Sequence, residues 1–256
     1  MSDFLLKKWY LDIADEKGNV YIGYWACLKW GKLKIDGSHH LRRSDRKGIE
    51  TQIELIKETP PKRAPKNQLI WQTNKLKASW RSGNKSIKEV LFSSPRGKII
   101  WQCIQPKSFA NIESSNLSFS GQGYAERIDI TLPIWDLPFN TLYWGRCHTD
   151  NHYLVWIKWS GKTDQSLVYF DNNRSCDFKI KKNKIIGDGF CLAIRENFPL
   201  RQGKICSTIF GRFGKIIEFF PEKTFLAHES KWYGRGTLHM PAGEESATII
   251  YEKVVW

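Results

Sequence analysis

Along most of the chain, apolar and polar residues alternate in short runs between turn signals, and helical spacing is nearly absent. The alternation predicts strands over residues 19–30, 98–104, 123–132, 154–159, 215–220 and 247–256, rich in Ile, Val, Tyr, Trp and Phe. This is the pattern of an all-β barrel or sandwich. Residues 44–88 are polar, basic and proline-bearing, so long loops are expected there. Pro133 and Pro138 bracket a mostly apolar tetrapeptide and stop strand pairing on both sides. The junction between two halves is placed at that turn, giving an N-terminal unit of residues 1–135 and a C-terminal unit of residues 136–256. Residues 21–31 and 142–161 share a loose Tyr/Trp/Gly pattern that hints at a repeated barrel.

Composition sharpens this picture in one respect. Aromatic residues make up 14% of the 256 positions, with 12 Trp, more indole than an ordinary core requires. The net charge of +14 permits contact with nucleic acid, acidic small molecules or the surface of an anionic membrane. The basic residues fall in stretches such as 38–47, 60–66 and 179–184, which read as solvated turns, and no recognition helix or nucleic-acid motif accompanies them. Nucleic acid is therefore a disfavoured partner, and peripheral membrane contact through the basic surface stays open. The six cysteines show no C-x-x-C pair and no Cys/His cluster at zinc-ligand spacing, so no metal site is expected. There is no secretory apolar segment after Met1 and no apolar run of membrane-spanning length, which makes a cytoplasmic protein with reduced thiols the expectation.

The segment 120–133 carries the most chemistry. Alternation puts Tyr124, Glu126, Ile128, Ile130 and Leu132 on one face and Ala125, Arg127, Asp129 and Thr131 on the other. The second face reads as solvent-facing, which would turn Glu126 into the apolar interior beside the Tyr124 hydroxyl. Burial favours the neutral form of a carboxyl group, and a protonated carboxyl in an apolar pocket is what general-acid chemistry requires. The alternative is that Glu126 is held in an ion pair with Arg146 or another cation inside the barrel.

A second segment, residues 142–148, places Trp144, Arg146 and His148 on one face, followed by Trp156 and Trp159, which would line the same cavity if the strands are neighbours. Indole faces stabilise a developing carbocation by about 0.5–2 kcal/mol each when desolvated. His148 is a candidate proton shuttle, whereas His39, His40 and His152 read as exposed. Gly121-Gln-Gly123 lacks the third glycine and following helix of a phosphate loop, and no G-x-S-x-G elbow is present.

At these residues the sequence resembles the hydroxyneurosporene synthase (carotenoid 1,2-hydratase) and AttH-like family. The resemblance rests on Gly121-Gln-Gly-Tyr124-Ala-Glu126, Leu132-Pro133, Tyr143-Trp144-Gly145-Arg146 and Leu154-Val-Trp156-Ile-Lys-Trp159. Trp101-Gln-Cys103 before Pro106, and the terminal segment 247–256, add to it. It implies two lipocalin-like antiparallel β-barrels or half-barrels in one chain, with a hydrophobic pocket and no cofactor. Family members hydrate the terminal alkene of acyclic carotenoids. Carried over by position, Tyr124 falls on the family's tyrosine and Glu126 on its catalytic aspartate. The family's Asn-x-Gly continuation is replaced here by Ile128-Asp129-Ile130.

The expectation is a cofactor-independent enzyme for a hydrophobic isoprenoid or polyene, acting by alkene hydration, cyclisation or isomerisation. Glu126 would be the acid, Tyr124 would orient it, and Arg146 or His148 would hold water or a polar substrate group. Trp101, Trp144, Trp156 and Trp159 would contact substrate. A non-catalytic carrier of a hydrophobic ligand is the alternative.

Overall fold

The structure is a computed structural model that describes residues 4–44, 48–54, 59–115, 117–205 and 227–256. It forms two compact units, Met1–Pro133 and Ile134–Trp256. Each holds one antiparallel sheet.

The first unit contains β1 (Phe4–Ala14), β2 (Val20–Trp30), β3 (Leu33–Ser44), β4 (Gly48–Glu54), β5 (Lys62–Ala64), β6 (Gln68–Gln72), β7 (Leu76–Arg81), β8 (Ile87–Ser94), β9 (Gly97–Ser114) and β10 (Leu117–Ile130). They pair in the order β4-β3-β2-β1-β10-β9-β7-β6-β5, and β8 also pairs with β9. The first hairpin closes where Gly18 takes φ +80° and Asp15 accepts the backbone N–H of Asn19 at 2.8 Å. The sheet curls on itself. His40 of β3 stacks on Trp71 of β6 at 5.1 Å, although these strands stand near opposite ends of the pairing order. The space enclosed is filled by Trp9, Leu11, Tyr21, Trp25, Trp71, Trp80, Ile104, Ile112 and Ala125, and this defines the inner face of the sheet.

The second unit contains β11 (Phe139–His148), β12 (Tyr153–Gly161), β13 (Gln165–Phe170), β14 (Asn173–Ser175), β15 (Phe178–Lys181), β16 (Lys184–Gly187), β17 (Phe190–Lys204), β18 (His228–Met240) and β19 (Gly243–Val255). The order is β14-β13-β12-β11-β19-β18-β17-β16-β15. It curls in the same way: Phe170 of β13 meets Phe190 of β17 at 5.5 Å, and Lys158 of β12 caps the ring of Phe178 in β15. Cys147, Trp156, Val168, Phe178, Ile185, Leu192, Leu238 and Ile249 form its core.

Several expectations are corrected. Residues 44–88, expected as long loops, hold β4 to β7 and the start of β8; these strands are short and polar at every second position, so their alternation is easily hidden by lysine and proline. The basic stretch 38–47 is not a solvated turn over its first half, because residues 38–44 belong to β3 and both His39 and His40 are buried. The two halves of the loose internal pattern are not equivalent: one lies within β2 and the turn after it, the other crosses from β11 to β12. The strand expected over 215–220, like Cys206, lies outside the described residues. Among the described residues no helix is long and apolar enough to cross a membrane, and no His/Cys/Asp/Glu cluster could hold a metal ion.

Candidate active site

In the first unit, β1 and β10 pair without irregularity, Tyr10 opposite Glu126 and Asp12 opposite Tyr124. Alternation therefore gathers all four side chains on the outer face of the sheet, away from the apolar core. Within each strand the tyrosine bonds the acid two residues on. The Tyr10 hydroxyl donates to Asp12 Oδ2 at 3.0 Å, and the Tyr124 hydroxyl donates to Glu126 Oε2 at 2.6 Å. The result is a crossed pair of Tyr–acid units, each acid standing opposite the other strand's tyrosine.

Strand β9 completes the face. Cys103 is opposite Glu126 and Trp101 opposite Ile128, and the Trp101 indole N–H donates to Glu126 Oε2 at 2.5 Å. A register shift on either side of Ala125 lets the strand carry this pairing while Tyr124 stays aligned with β1. Two rings extend the cluster through β2 and β3: Tyr24 meets Tyr10 edge-on at 5.3 Å, and His39 stacks on Tyr24 at 5.5 Å. Asp12, Cys103, Tyr124 and Trp101 are buried and Glu126 is half-buried, so Glu126 is the carboxyl of the two that a ligand can reach.

The electrostatics follow from burial. Desolvation, reinforced by the nearby carboxylates Glu126 and Asp12, pushes the Cys103 thiol well above its usual value; a hydrogen bond to Tyr124 opposes this only in part. Desolvation likewise pushes the Tyr124 hydroxyl up, with Cys103 and Glu126 adding to it. Both groups stay protonated, so Tyr124 serves as a neutral donor to Glu126. Lys8, on the same face of β1, stands over the Tyr24 ring at 4.9 Å.

The face assignment within β10 reverses the sequence expectation. Ala125 is fully buried in the apolar core, and Arg127 and Asp129 follow it on that inner face. Glu126 does not point into the apolar interior; it lies on a separate buried face rich in hydroxyls and acids. Tyr10, Asp12 and Tyr24 were not singled out in the sequence, Cys103 entered only through the Trp101-Gln-Cys103 motif, and His39 was expected exposed. The signal was present in β1, where Asp12 is a lone acid in the apolar run 9–14 and shares alternation with Tyr10.

In the second unit Trp144, Arg146 and His148 share one face of β11, as alternation requires, and all three are buried. Arg146 donates to the Thr248 carbonyl at 3.3 Å, and Lys231 of β18 stands over the Trp144 ring at 5.5 Å. Trp159 lies on the same side, stacked on Phe139 at 4.8 Å. Trp156 does not join them: it pairs with Gly145 and turns into the core of the unit, where the glycine leaves room for its indole. Tyr124, Glu126 and Trp101 thus come together in the first unit, and Trp144, Arg146 and His148 in the second. His152, expected exposed, is half-buried and bonds Asp171 at 2.8 Å.

No family model matches the chain, and no curated protein matches it. Solved structures do. CghA bound to Sch210972 is similar over 100% of this chain and 89% of its own, with TM-score 0.55 and 9% identity. Kievitone hydratase from Nectria haematococca matches over the same shares, with TM-score 0.55 and 8% identity. The likeness is one of fold: an all-β chain with two lipocalin-like antiparallel sheets.

Proposed function

We propose that the protein is a cofactor-independent enzyme that protonates a carbon–carbon double bond of a hydrophobic isoprenoid or polyene, leading to hydration, cyclisation or isomerisation. The observation that carries this reading is the half-buried Glu126 carboxyl, whose Oε2 accepts from both Tyr124 and Trp101 on a face that also buries Asp12. Similarity of fold to a protein named as a hydratase supports it.

With Oε2 receiving two donors, the transferable proton is assigned to Oε1. The alkene π pair takes that proton, forming a C–H bond and leaving a cation on the adjacent carbon. Glu126 becomes a carboxylate, which the two preset donors stabilise at no reorganisation cost. The ring of Tyr10 lies on this face and offers cation–π attraction of about 0.5–2 kcal/mol. Water then adds to the cation and returns a proton to Glu126; in isomerisation the cation instead loses a neighbouring proton to Glu126, and in cyclisation a second alkene attacks the cation and the new cation so formed loses a proton to Glu126. Tyr124 and Trp101 act here by orienting the carboxyl.

The test is incubation with a panel of isoprenoid and polyene alkenes in deuterated water, read by mass spectrometry. Turnover should place solvent deuterium on a former alkene carbon, and Glu126→Gln should abolish this while circular dichroism is unchanged. Full activity in Glu126→Gln overturns the assignment. Binding of an alkene that is recovered unchanged makes the protein a carrier.

A further inference from the structure

On the inner face of the first unit, opposite to the Glu126 side of β10, a cavity of about 430 Å³ opens at one end of the curled sheet. That volume falls within the roughly 300–1,000 Å³ typical of small-molecule pockets. Its wall is divided. Trp9, Pro61, Ile87 and Ile104 are buried and supply an apolar floor, while Arg63, Lys88 and Arg127 bring three cations. Among the described residues the lining includes no carboxylate.

The arrangement follows from register. Lys88 pairs with Gln102, Gln102 with Arg127 and Arg127 with Trp9, so one row across β8, β9, β10 and β1 points these side chains to the same side. The Arg127 guanidinium lies 5.9 Å from the centre of the Trp9 ring, which fixes its plane. One of its terminal nitrogens pairs with Asp129 at 2.5 Å, whereas its Nε is buried with no hydrogen-bond partner among the described residues. A buried donor of a charged group left without an acceptor is unfavourable, and an incoming acceptor would satisfy it. Arg63 and Lys88 are exposed and have no carboxylate partner among the described residues. Asp129 offsets one of the three cations, and the rim stays net positive.

We infer that this cavity binds a carboxylate-bearing amphiphile, its head group at Arg127 with Arg63 and Lys88 beside it, and its apolar body along Trp9, Ile87 and Ile104. The guanidinium fork suits a planar carboxylate, and the apolar floor requires a hydrophobic remainder. The site is separate from the Glu126 face and does not depend on any reaction there.

Isothermal titration of the full chain with dodecanoate tests this, with dodecanol as the neutral probe. Saturable one-site binding is expected, with dodecanol roughly tenfold weaker or worse. Arg127→Gln should weaken dodecanoate roughly tenfold, and Arg63→Ala and Lys88→Ala, which alter only exposed tips, a few-fold each. Because Arg127→Gln could disturb packing on Trp9, the two exposed variants keep the test decisive if it fails to fold. Absence of saturable binding, equal affinity for dodecanol, or affinity unchanged in both Arg63→Ala and Lys88→Ala overturns the inference.

Discussion

Gly145 of β11 and Trp156 of β12 are direct partners, and the indole occupies the space that any side chain at 145 would need: a Cβ there would stand 2.2 Å from Trp156 Cζ2 and 2.7 Å from the Cβ of Tyr251. The pair explains why Trp144 and Trp156 part company. Gly145 opens a slot on the inner face of β11, the neighbouring strand fills it with its largest residue, and Trp144 is left on the outer face.

Gly145→Ala should therefore destabilise the protein by about 1–3 kcal/mol through overpacking, since backbone and large ring must both shift. Urea denaturation measures it. The effect is steric, so Trp156→Phe, which shortens the ring system, should cost less in the Gly145→Ala background than in the wild type. Strict additivity of the two changes would show that they do not meet.

What the sequence made legible was periodicity, and what it hid was polarity of direction. The strands expected over residues 19–30, 98–104, 123–132, 154–159 and 247–256 could be read, to within a residue or two where an expected range overran its strand, because aromatic and β-branched residues recur at every second position. Alternation also sorted Tyr124 with Glu126, and Trp144 with Arg146 and His148, because side-chain period in a strand is fixed by geometry. It could not say which side of β10 meets the core. Arg127 and Asp129 made one face look solvated, but that face ends in the mouth of the curled sheet, where a charged pair can sit on Trp9 without losing water altogether. His39 and His40 were obscured by their basic neighbours Arg42 and Arg43. Asp12 was as conspicuous as Glu126, but its meaning depends on the β1–β10 register, which a single sequence does not display.

A buried charge cluster in the second unit gives a different kind of prediction. Lys231 is 1% exposed and forms ion pairs with Glu229 and Glu252, while Arg201 pairs with Glu229 as well. Lys231→Met removes one partner and leaves carboxylates short of a cation in a buried setting, which should cost about 3–5 kcal/mol. Lys231→Met combined with Glu252→Gln should be less damaging than Lys231→Met alone, because the orphaned charge is removed with its partner. Unfolding free energies of the three variants decide this, and a double variant as unstable as the sum of its singles would contradict it.

The turn between β11 and β12 supplies a pH dependence. Hydrogen bonds from Thr149 and from the Asn151 side chain, assisted by the Asn151 backbone, hold the Glu245 carboxyl down at about 2, from an ordinary value of 4.5. His152 Nε2, at 3.9 Å, adds a weaker attraction. Since the folded state favours the carboxylate, these contacts contribute their full stabilisation above the unfolded value and lose it as pH falls towards about 2. Wild type and Glu245→Gln should therefore differ in melting temperature by a constant amount near neutrality, and that gap should narrow steadily below about pH 4.5. Glu245 is partly exposed, so solvent screening keeps the gap small, and added salt should reduce its charge-dependent share. A gap of unchanged size from pH 7 to pH 3 would mean that the carboxylate form is not what ties β19 to the turn.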